Sequence, residues 1–176
     1  ILSTLLSSQR VFEELILLDN QGQEQARASR LDLVSSQLGD FSEDDAFVIP
    51  QTNGETYYSP IRFEETTGEP LITISVPLLD TRTGLIDGVL VSTVRIRSIW
   101  NLIANLQVSP GQSVYIVDAQ NKVVAHRDPS VVLRGATFDL SGGGAIRPGL
   151  TGSSVVLAIE EIRLGQQEFN IVAEQA

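Results

Sequence analysis

The side-chain types that usually carry catalysis are sparse in this sequence. It contains one histidine, His126, and no cysteine. A zinc site generally needs three or four His, Cys or carboxylate ligands, and Asp118 and Asp128 are the nearest carboxylates that would assist His126. We favour a histidine at the end of a hairpin, bonded to the backbone. No serine lies in the G-x-S-x-G sequence of a hydrolase nucleophile, so we expect no catalytic residue, metal or cofactor.

Glycines and paired acids offer only weak signals of phosphate or sugar chemistry. The glycines at 142–144 are followed by Ala145 and Ile146, without the Lys of a phosphate loop, and we predict a mobile loop at 141–144. The acidic pairs Asp44-Asp45 and Glu160-Glu161 are interpreted as solvated surface. Paired carboxylates for glycoside hydrolysis need a separation that only the fold determines. An enzyme therefore remains a hypothesis of function, the weakest of those considered.

The composition and net charge exclude some classes of binding partner. The 176 residues carry a net charge of −10, with only 12 Lys and Arg, which argues against nucleic acid and anionic membrane surfaces. No apolar run approaches the ~20 residues of a membrane span. Because the chain contains no methionine, we interpret it as a piece of a longer protein whose targeting or membrane segments lie outside it.

A short hairpin sequence occurs twice. The stretch from Leu15 to Gly22 matches the stretch from Val114 to Asn121, with Asp118 lying 99 residues after Asp19. Gly and Asn tolerate positive φ, so their equivalent positions fit the same tight turn. The match predicts two related modules; the alternative is that two unrelated hairpins share a common turn signal.

Hydrophobic spacing predicts the remaining elements. Ile1, Leu2, Leu5 and Leu6 indicate an amphipathic N-terminal helix, the end of a longer stalk, whose apolar stripe is a candidate homodimer seam. In the first module we predict strands over 55–63, 71–79 and 89–96, closed by a helix over 97–107. In the second we predict the repeated hairpin, a short helical turn and strands over 153–162 and 168–174. Antiparallel sheets with helices on one side define an α+β fold.

Two sets of residues carry a family resemblance. The first is Thr67-Gly68-Glu69-Pro70 with Thr73 and Pro77, followed by Gly88-Val89-Leu90, and the second comprises Ser113 to Asp118, Val124 to Pro129, Val132 to Arg134 and Phe169 to Gln175. The first set resembles the distal module, and the second set the membrane-proximal module, of double Cache sensor domains, the PAS-like extracytoplasmic part of bacterial receptors. The resemblance implies two tandem PAS-like (Cache) modules with a long N-terminal helix. Residues 1–107 would form the stalk helix and distal module, and 108–176 the proximal module.

The resemblance also indicates candidate ligand-binding positions. In the amine-recognising branch of the family, counting along the chain places Asp44 at an arginine, Phe47 at a tyrosine, Arg62 and Glu64 at a Y-x-D stretch, and Thr93 at an aspartate. Only Glu64 has the same charge as the family residue at its position. The set of charged side chains that would bind an amino acid in that branch is therefore incomplete in this chain. Arg62 instead offers a planar group for a carboxylate or phosphate, or else pairs with Glu64 or Asp44. The predicted ligand-binding residues are Asp44, Phe47, Tyr58, Arg62, Glu64, Thr73, Ser75 and Thr93.

The resemblance predicts an extracytoplasmic, periplasmic-side ligand-sensing domain of an inner-membrane receptor, most like a histidine kinase. A small molecule, such as a small organic acid, would bind in the distal module and shift the domain between two conformations. Two alternatives stay open. One is a structural or protein-interaction ectodomain without a small-molecule ligand, and the other is the sensor of a nucleotide cyclase or chemoreceptor.

Overall fold

The two predicted hairpins have the same backbone geometry. The structure, a computed structural model, describes residues 1–30, 38–64, 66–141 and 146–176. In the first hairpin the Asp19 carboxylate accepts hydrogen bonds from the N–H groups of Gln21 and Gln23, and in the second Asp118 accepts from Gln120 and Lys122. The turn residues Gly22 and Asn121 both have positive φ, at 82° and 62°. In both hairpins the pairing of the two strands shifts register between the second and the first residue before the aspartate.

The described residues form two compact units, Ile1–Ile96 and Arg97–Ala176. The helices of the first unit are α1 (Leu2–Ser8) and α2 (Asp45–Asn53). Its strands are β1 (Phe12–Asp19), β2 (Glu24–Ser29), β3 (Tyr57–Tyr58), β4 (Arg62–Phe63), β5 (Pro70–Leu79) and β6 (Ile86–Arg95). They form one antiparallel sheet in the order β2-β1-β6-β5-β3, with β4 also paired to β5.

The second unit has its own five-stranded antiparallel sheet. Its helices are α3 (Arg97–Ala104) and α4 (Pro129–Leu133). Its strands are β7 (Gln112–Asp118), β8 (Val123–His126), β9 (Ile146–Pro148), β10 (Ser154–Leu164) and β11 (Gln167–Gln175), in the order β8-β7-β11-β10-β9. In both sheets the leading hairpin lies beside the last strand of the unit, which pairs with the strand before it. The described residues therefore have the α+β architecture that the sequence predicts.

The first sheet is covered by a different helix on each face, because side chains of a strand alternate between faces. On one face, Ile16, Leu18 and Val91 pack with Phe47 of α2. On the other, Leu15 packs with α1 through Leu6. The side of the sheet that carries α2 also carries the polar side chains described below.

The N-terminal helix is short. It covers seven residues, where a long helix was expected, and it begins without a side-chain cap. Leu6 is buried against the sheet, and Leu2 packs on the same cluster, while Ile1 and Leu5 remain exposed. Half of the apolar stripe that suggested a dimer seam therefore packs onto the first sheet.

Other elements also differ from the predictions. The strand expected over 55–63 is divided into two short strands, because Pro60 between them has no N–H to donate to a neighbouring strand. The helix expected over 97–107 ends at Ala104 and belongs to the second unit, not the first. Most of the predicted loop at 141–144 lies outside the described residues. Among the helices that the structure describes, none has the length and apolar character needed to cross a membrane.

Candidate ligand-binding site

A cavity of about 440 Å³ lies over the polar part of the first sheet. Its floor comes from neighbouring strands: Thr73 of β5 pairs with Thr93 of β6, and Thr93 also pairs with Glu14 of β1. Residues that pair across strands share a face, so this register aligns two hydroxyls and a carboxylate in one row. The remaining lining residues are Ile16, Phe41, Asp44, Ala46, Tyr57, Ser59, Pro60, Ile61, Arg62 and Val91.

Asp44 lines the cavity and also begins α2. Its backbone is extended, and its Oδ1 accepts a hydrogen bond of 2.8 Å from the N–H of Ala46, as an N-cap side chain does. Burial raises the pKa of the Tyr57 hydroxyl, which also lines the cavity, and the negative charges of Asp45 and Asp44 raise it further. The Tyr57 hydroxyl is therefore neutral at physiological pH and can donate a hydrogen bond to an anion.

Arg62 is the exposed cation of this cavity. It lies on the two-residue strand β4, opposite Leu71 of β5. Within the described part of the chain, no ion pair joins Arg62 to Glu64 or Asp44, the two partners that the sequence suggested. Its exposed side chain lines both this cavity and a smaller neighbouring one.

Glu14 is held by an ion-pair network at the other side of the cavity. Arg27 donates at 3.1 Å to Glu14 and makes a two-pronged contact with Glu24 at 2.7 and 3.0 Å. The hydrogen bonds from Arg27 lower the pKa of Glu24, with a smaller contribution from the N–H of Gly39, while burial opposes them. The same contact with Glu24 raises the pKa of Arg27. Arg27 is therefore shared between Glu14 and Glu24 and offsets only part of their combined negative charge.

The predicted site residues fall into two groups. Asp44, Arg62, Thr73 and Thr93 line this cavity together. The other four lie elsewhere: Phe47 is buried in the core beneath α2, Ser75 is fully buried, Tyr58 pairs with Ile74, and Glu64 lines a smaller neighbouring cavity.

Sequence reasoning missed Glu14, Phe41 and Tyr57. Two adjacent glutamates inside the otherwise apolar strand β1 are the signal that could have indicated Glu14, because charged residues are rarely buried without a purpose. Tyr57 rather than Tyr58 lines the cavity because it pairs with Ser75, on the same face as Thr73. A shift of one residue along a strand reverses its face.

The second unit contains a different polar centre. Tyr115 is fully buried and donates a 2.6 Å hydrogen bond to the carboxylate of Glu174, which also accepts from the N–H of Leu150 at 2.7 Å. Burial, followed by the bond to Glu174, raises the pKa of Tyr115 far above its usual value. His126 accepts a hydrogen bond of 2.9 Å from the N–H of Asp128, which confirms its predicted backbone-bonded position.

The family model described as Cache domain matches residues 1–176, so the chain belongs to the Cache domain family. A search of curated proteins gives no significant match.

Several solved structures share the fold. The ligand-binding domain of the Pseudomonas aeruginosa PAO1 amino acid chemoreceptor PctC in complex with GABA is similar at 16% identity and a TM-score of 0.74, covering 95% of this chain and 75% of that one. The extracellular domain of the putative histidine kinase vpHK1S-Z8 has 18% identity and a TM-score of 0.66, with coverages of 99% and 72%. The Pseudomonas fluorescens chemoreceptor CtaA domain with L-serine has 16% identity and a TM-score of 0.64, with coverages of 98% and 78%.

Proposed function

We propose that this chain is the ligand-sensing part of a transmembrane signalling receptor and that it binds a small organic acid in the cavity of its first unit. The observation that carries the proposal is a cavity of about 440 Å³ lined by Arg62, two threonine hydroxyls and two aromatic side chains. Ligand pockets typically enclose 300–1,000 Å³ and combine apolar walls with a few polar groups that orient the ligand.

The free guanidinium of Arg62 favours a carboxylate there, because no described residue forms an ion pair with it. Glu14 pairs with Arg27, and Asp44 Oδ1 accepts a hydrogen bond from the N–H of Ala46, so neither carboxylate is joined to Arg62. A guanidinium binds a carboxylate through two parallel hydrogen bonds, which gives both affinity and orientation. The hydroxyls of Thr73 and Thr93 supply further donors on the sheet. The apolar remainder of the ligand would contact Phe41 and Tyr57.

Membership of the Cache family supports the sensory role. The chemoreceptor and histidine kinase structures that share this fold are ligand-binding or extracellular domains, and two of them hold GABA and L-serine. We propose accordingly that the first unit, Ile1–Ile96, is the membrane-distal module expected over 1–107 and that the second unit, Arg97–Ala176, is the membrane-proximal module expected over 108–176, on the periplasmic side of an inner-membrane histidine kinase. Ligand binding would favour one of two conformations to the extent of its differential affinity for them.

Isothermal titration of the wild type and of Arg62→Ala against a panel of small mono- and dicarboxylic acids tests the proposal. We expect at least one acid to bind the wild type and to lose about tenfold or more in affinity in Arg62→Ala, since a two-pronged charged contact is removed. Arg82→Ala is the matched control, because Arg82 is 86% exposed in the same unit and lies outside the cavity.

Two results would contradict the proposal. One is the absence of binding by every acid in the panel. The other is equal affinity of the wild type and Arg62→Ala for each acid that binds, since the ligand would then lie away from the guanidinium.

A further inference from the structure

The second sheet has an open edge along strand β10. Strand β9 pairs with β10 only from Ser154 to Val156, whereas β10 continues to Leu164 along β11. No strand that the structure describes pairs with the other side of β10 over 157–164, a stretch that we call the β10 edge. The unpaired N–H and C=O groups of such a strand can pair with one further strand.

The β10 edge lacks several features that usually protect an open strand. It contains neither Pro nor Lys, and its pairing with β11 is regular, without a bulge. Three of its apolar side chains, those of Ile159, Ile162 and Leu164, are 42%, 40% and 40% exposed. A regular, open edge with exposed apolar side chains is a template for pairing with another chain. The β10 edge is therefore a candidate interaction surface.

The charged residues of the β10 edge determine which strand fits it. Glu161 and Arg163 are exposed, lie on the same face of β10 and form an ion pair of 2.7 Å. Opposite charges that face each other across two strands stabilise the pair, and like charges destabilise it. A matching strand must therefore carry an arginine opposite Glu161 and a glutamate opposite Arg163. The β10 strand of a second copy carries both.

Two-fold symmetry allows one register with this match of charges. In an antiparallel pair related by a two-fold axis, opposite residues share a face, so the axis passes beside the same residue of each strand. An axis at Glu160, Glu161 or Arg163 would set that charged residue against its own copy. An axis at Ile162 sets Glu161 of each copy opposite Arg163 of the other. No other axis position on the β10 edge sets glutamate opposite arginine.

The same register brings apolar side chains together on the other face of the strand. Ile162 of one copy lies opposite Ile162 of the second, and Leu164 is its diagonal neighbour across the pair. Within its own sheet Ile162 also pairs with Phe169, which is buried. The pairing would remove exposed apolar surface from water on one face while the charges on the other face fix the register.

We propose that the β10 edge pairs with the β10 edge of a second copy of this chain, antiparallel and with the two-fold axis at Ile162. The pairing joins the two five-stranded sheets into one continuous sheet. It goes beyond ligand sensing, and it uses a different surface from the apolar stripe of α1. The net charge of −10 on each copy opposes association, but salt at about 0.15 M screens this repulsion beyond about 8 Å.

A disulfide at the proposed axis tests the register. The chain contains no cysteine, so Ile162→Cys introduces a single thiol. Residues directly opposite each other in an antiparallel pair have Cα atoms about 4.5–5.5 Å apart, which a disulfide can span. Leu164→Cys is the matched control, because Leu164 is equally exposed but would lie about 14 Å from its copy along the strand. In about 0.15 M salt, non-reducing electrophoresis should show Ile162→Cys cross-linking at least about tenfold faster.

Charge reversals test the pairing without a covalent bond. Sedimentation velocity from about 10 μM to about 1 mM would compare the wild type with Arg163→Glu and with Glu161→Arg. Each variant sets like charges opposite each other, so its association should weaken about fivefold or more. An equimolar mixture of the two variants restores the match between chains and should associate within about twofold of the wild type. Arg127→Glu is the control, because it makes the same change of charge at an exposed residue outside β10.

Several results would overturn the proposal. One is a wild type that remains monomeric at about 1 mM, and another is cross-linking of Ile162→Cys and Leu164→Cys at the same rate. A mixture of the charge variants that associates no better than either alone would refute the register. Association that is lost in Leu5→Lys but unchanged by the charge reversals would lie on α1 instead, where Leu5 is exposed. None of these results affects the binding of acids at Arg62, so the two proposals fail independently.

Discussion

Loss of the hydrogen bond between Tyr115 and Glu174 should lower the free energy of unfolding by an amount that the structure allows us to predict. In Tyr115→Phe the ring keeps its edge contact with Phe138, whose centroid lies 5.5 Å away, so only the hydroxyl is lost. The 2.6 Å hydrogen bond to Glu174 disappears, and the carboxylate oxygen keeps only its bond from Leu150. Hydrogen bonds to charged groups contribute about 1.5–3 kcal/mol, and we expect Tyr115→Phe to lower the free energy of unfolding by about 2 kcal/mol.

The assay is urea unfolding followed by tryptophan fluorescence. Trp100 is the single tryptophan and lies in the second unit, where its indole N–H donates to the carbonyl oxygen of Val124 at 2.7 Å. Its emission therefore reports the unit that contains Tyr115. Tyr57→Phe is the control, followed by circular dichroism. Among the described residues the Tyr57 hydroxyl has no hydrogen-bond partner, so its removal should change stability by less than about 0.5 kcal/mol.

The same pair predicts an alkaline effect with a defined sign. The pKa of Tyr115 is raised in the folded state, first by burial and then by Glu174. A raised pKa contributes stability that is complete below the unfolded value of about 10 and is lost as the pH rises above it. The wild type should lose up to about 1.4 kcal/mol per pH unit above pH 10 from this group, and Tyr115→Phe should lack that loss. Parallel pH profiles, or a stability change under about 0.5 kcal/mol at neutral pH, would refute the reasoning.

Two further predictions concern the first unit. In Gly88→Ala the added Cβ would lie 2.3 Å from the carbonyl oxygen of Leu18, so β1 and β6 must separate. Urea unfolding followed by circular dichroism should show that the free energy of unfolding falls by about 2 kcal/mol or more. A fall of less than about 0.5 kcal/mol would contradict the close approach of the two strands. Glu24→Gln removes a carboxylate whose pKa is lowered by Arg27. A lowered pKa contributes stability that is complete above the unfolded value and lost as the pH falls, so the wild type should lose stability below about pH 4.5 more steeply than Glu24→Gln. Acid titrations with Glu43→Gln as the exposed control measure this difference, and equal slopes would count against it.

Local signals predicted the hairpins and the long strands well. The aspartate and the Gly or Asn of each turn specify its hydrogen bonds within a few residues, so Asp19 and Asp118 were identified without any tertiary information. The split of the expected strand over 55–63 was missed, although Pro60 marks it. The burial of Leu6 depends on where α1 docks, which an amphipathic stripe alone does not determine.

The candidate site was predictable only in part because a site depends on register. Thr93 was found because the resemblance places it at a ligand-binding aspartate of the family, and Thr73 lies in the run of residues that carries the same resemblance. Their pairing with Glu14 depends on how β1 and β6 align, and the bulge at Glu13 has no signal in the sequence beyond the two adjacent acids. The choice between Tyr57 and Tyr58 rests on a single step of register.

A crystal structure of the chain with the most tightly binding acid of the panel tests the central claim most directly. We predict electron density for the ligand over the first sheet, with its carboxylate within hydrogen-bond distance of the Arg62 guanidinium and beside Thr73 and Thr93. A ligand bound in the second unit, or one in the first unit with no contact to Arg62, would contradict it.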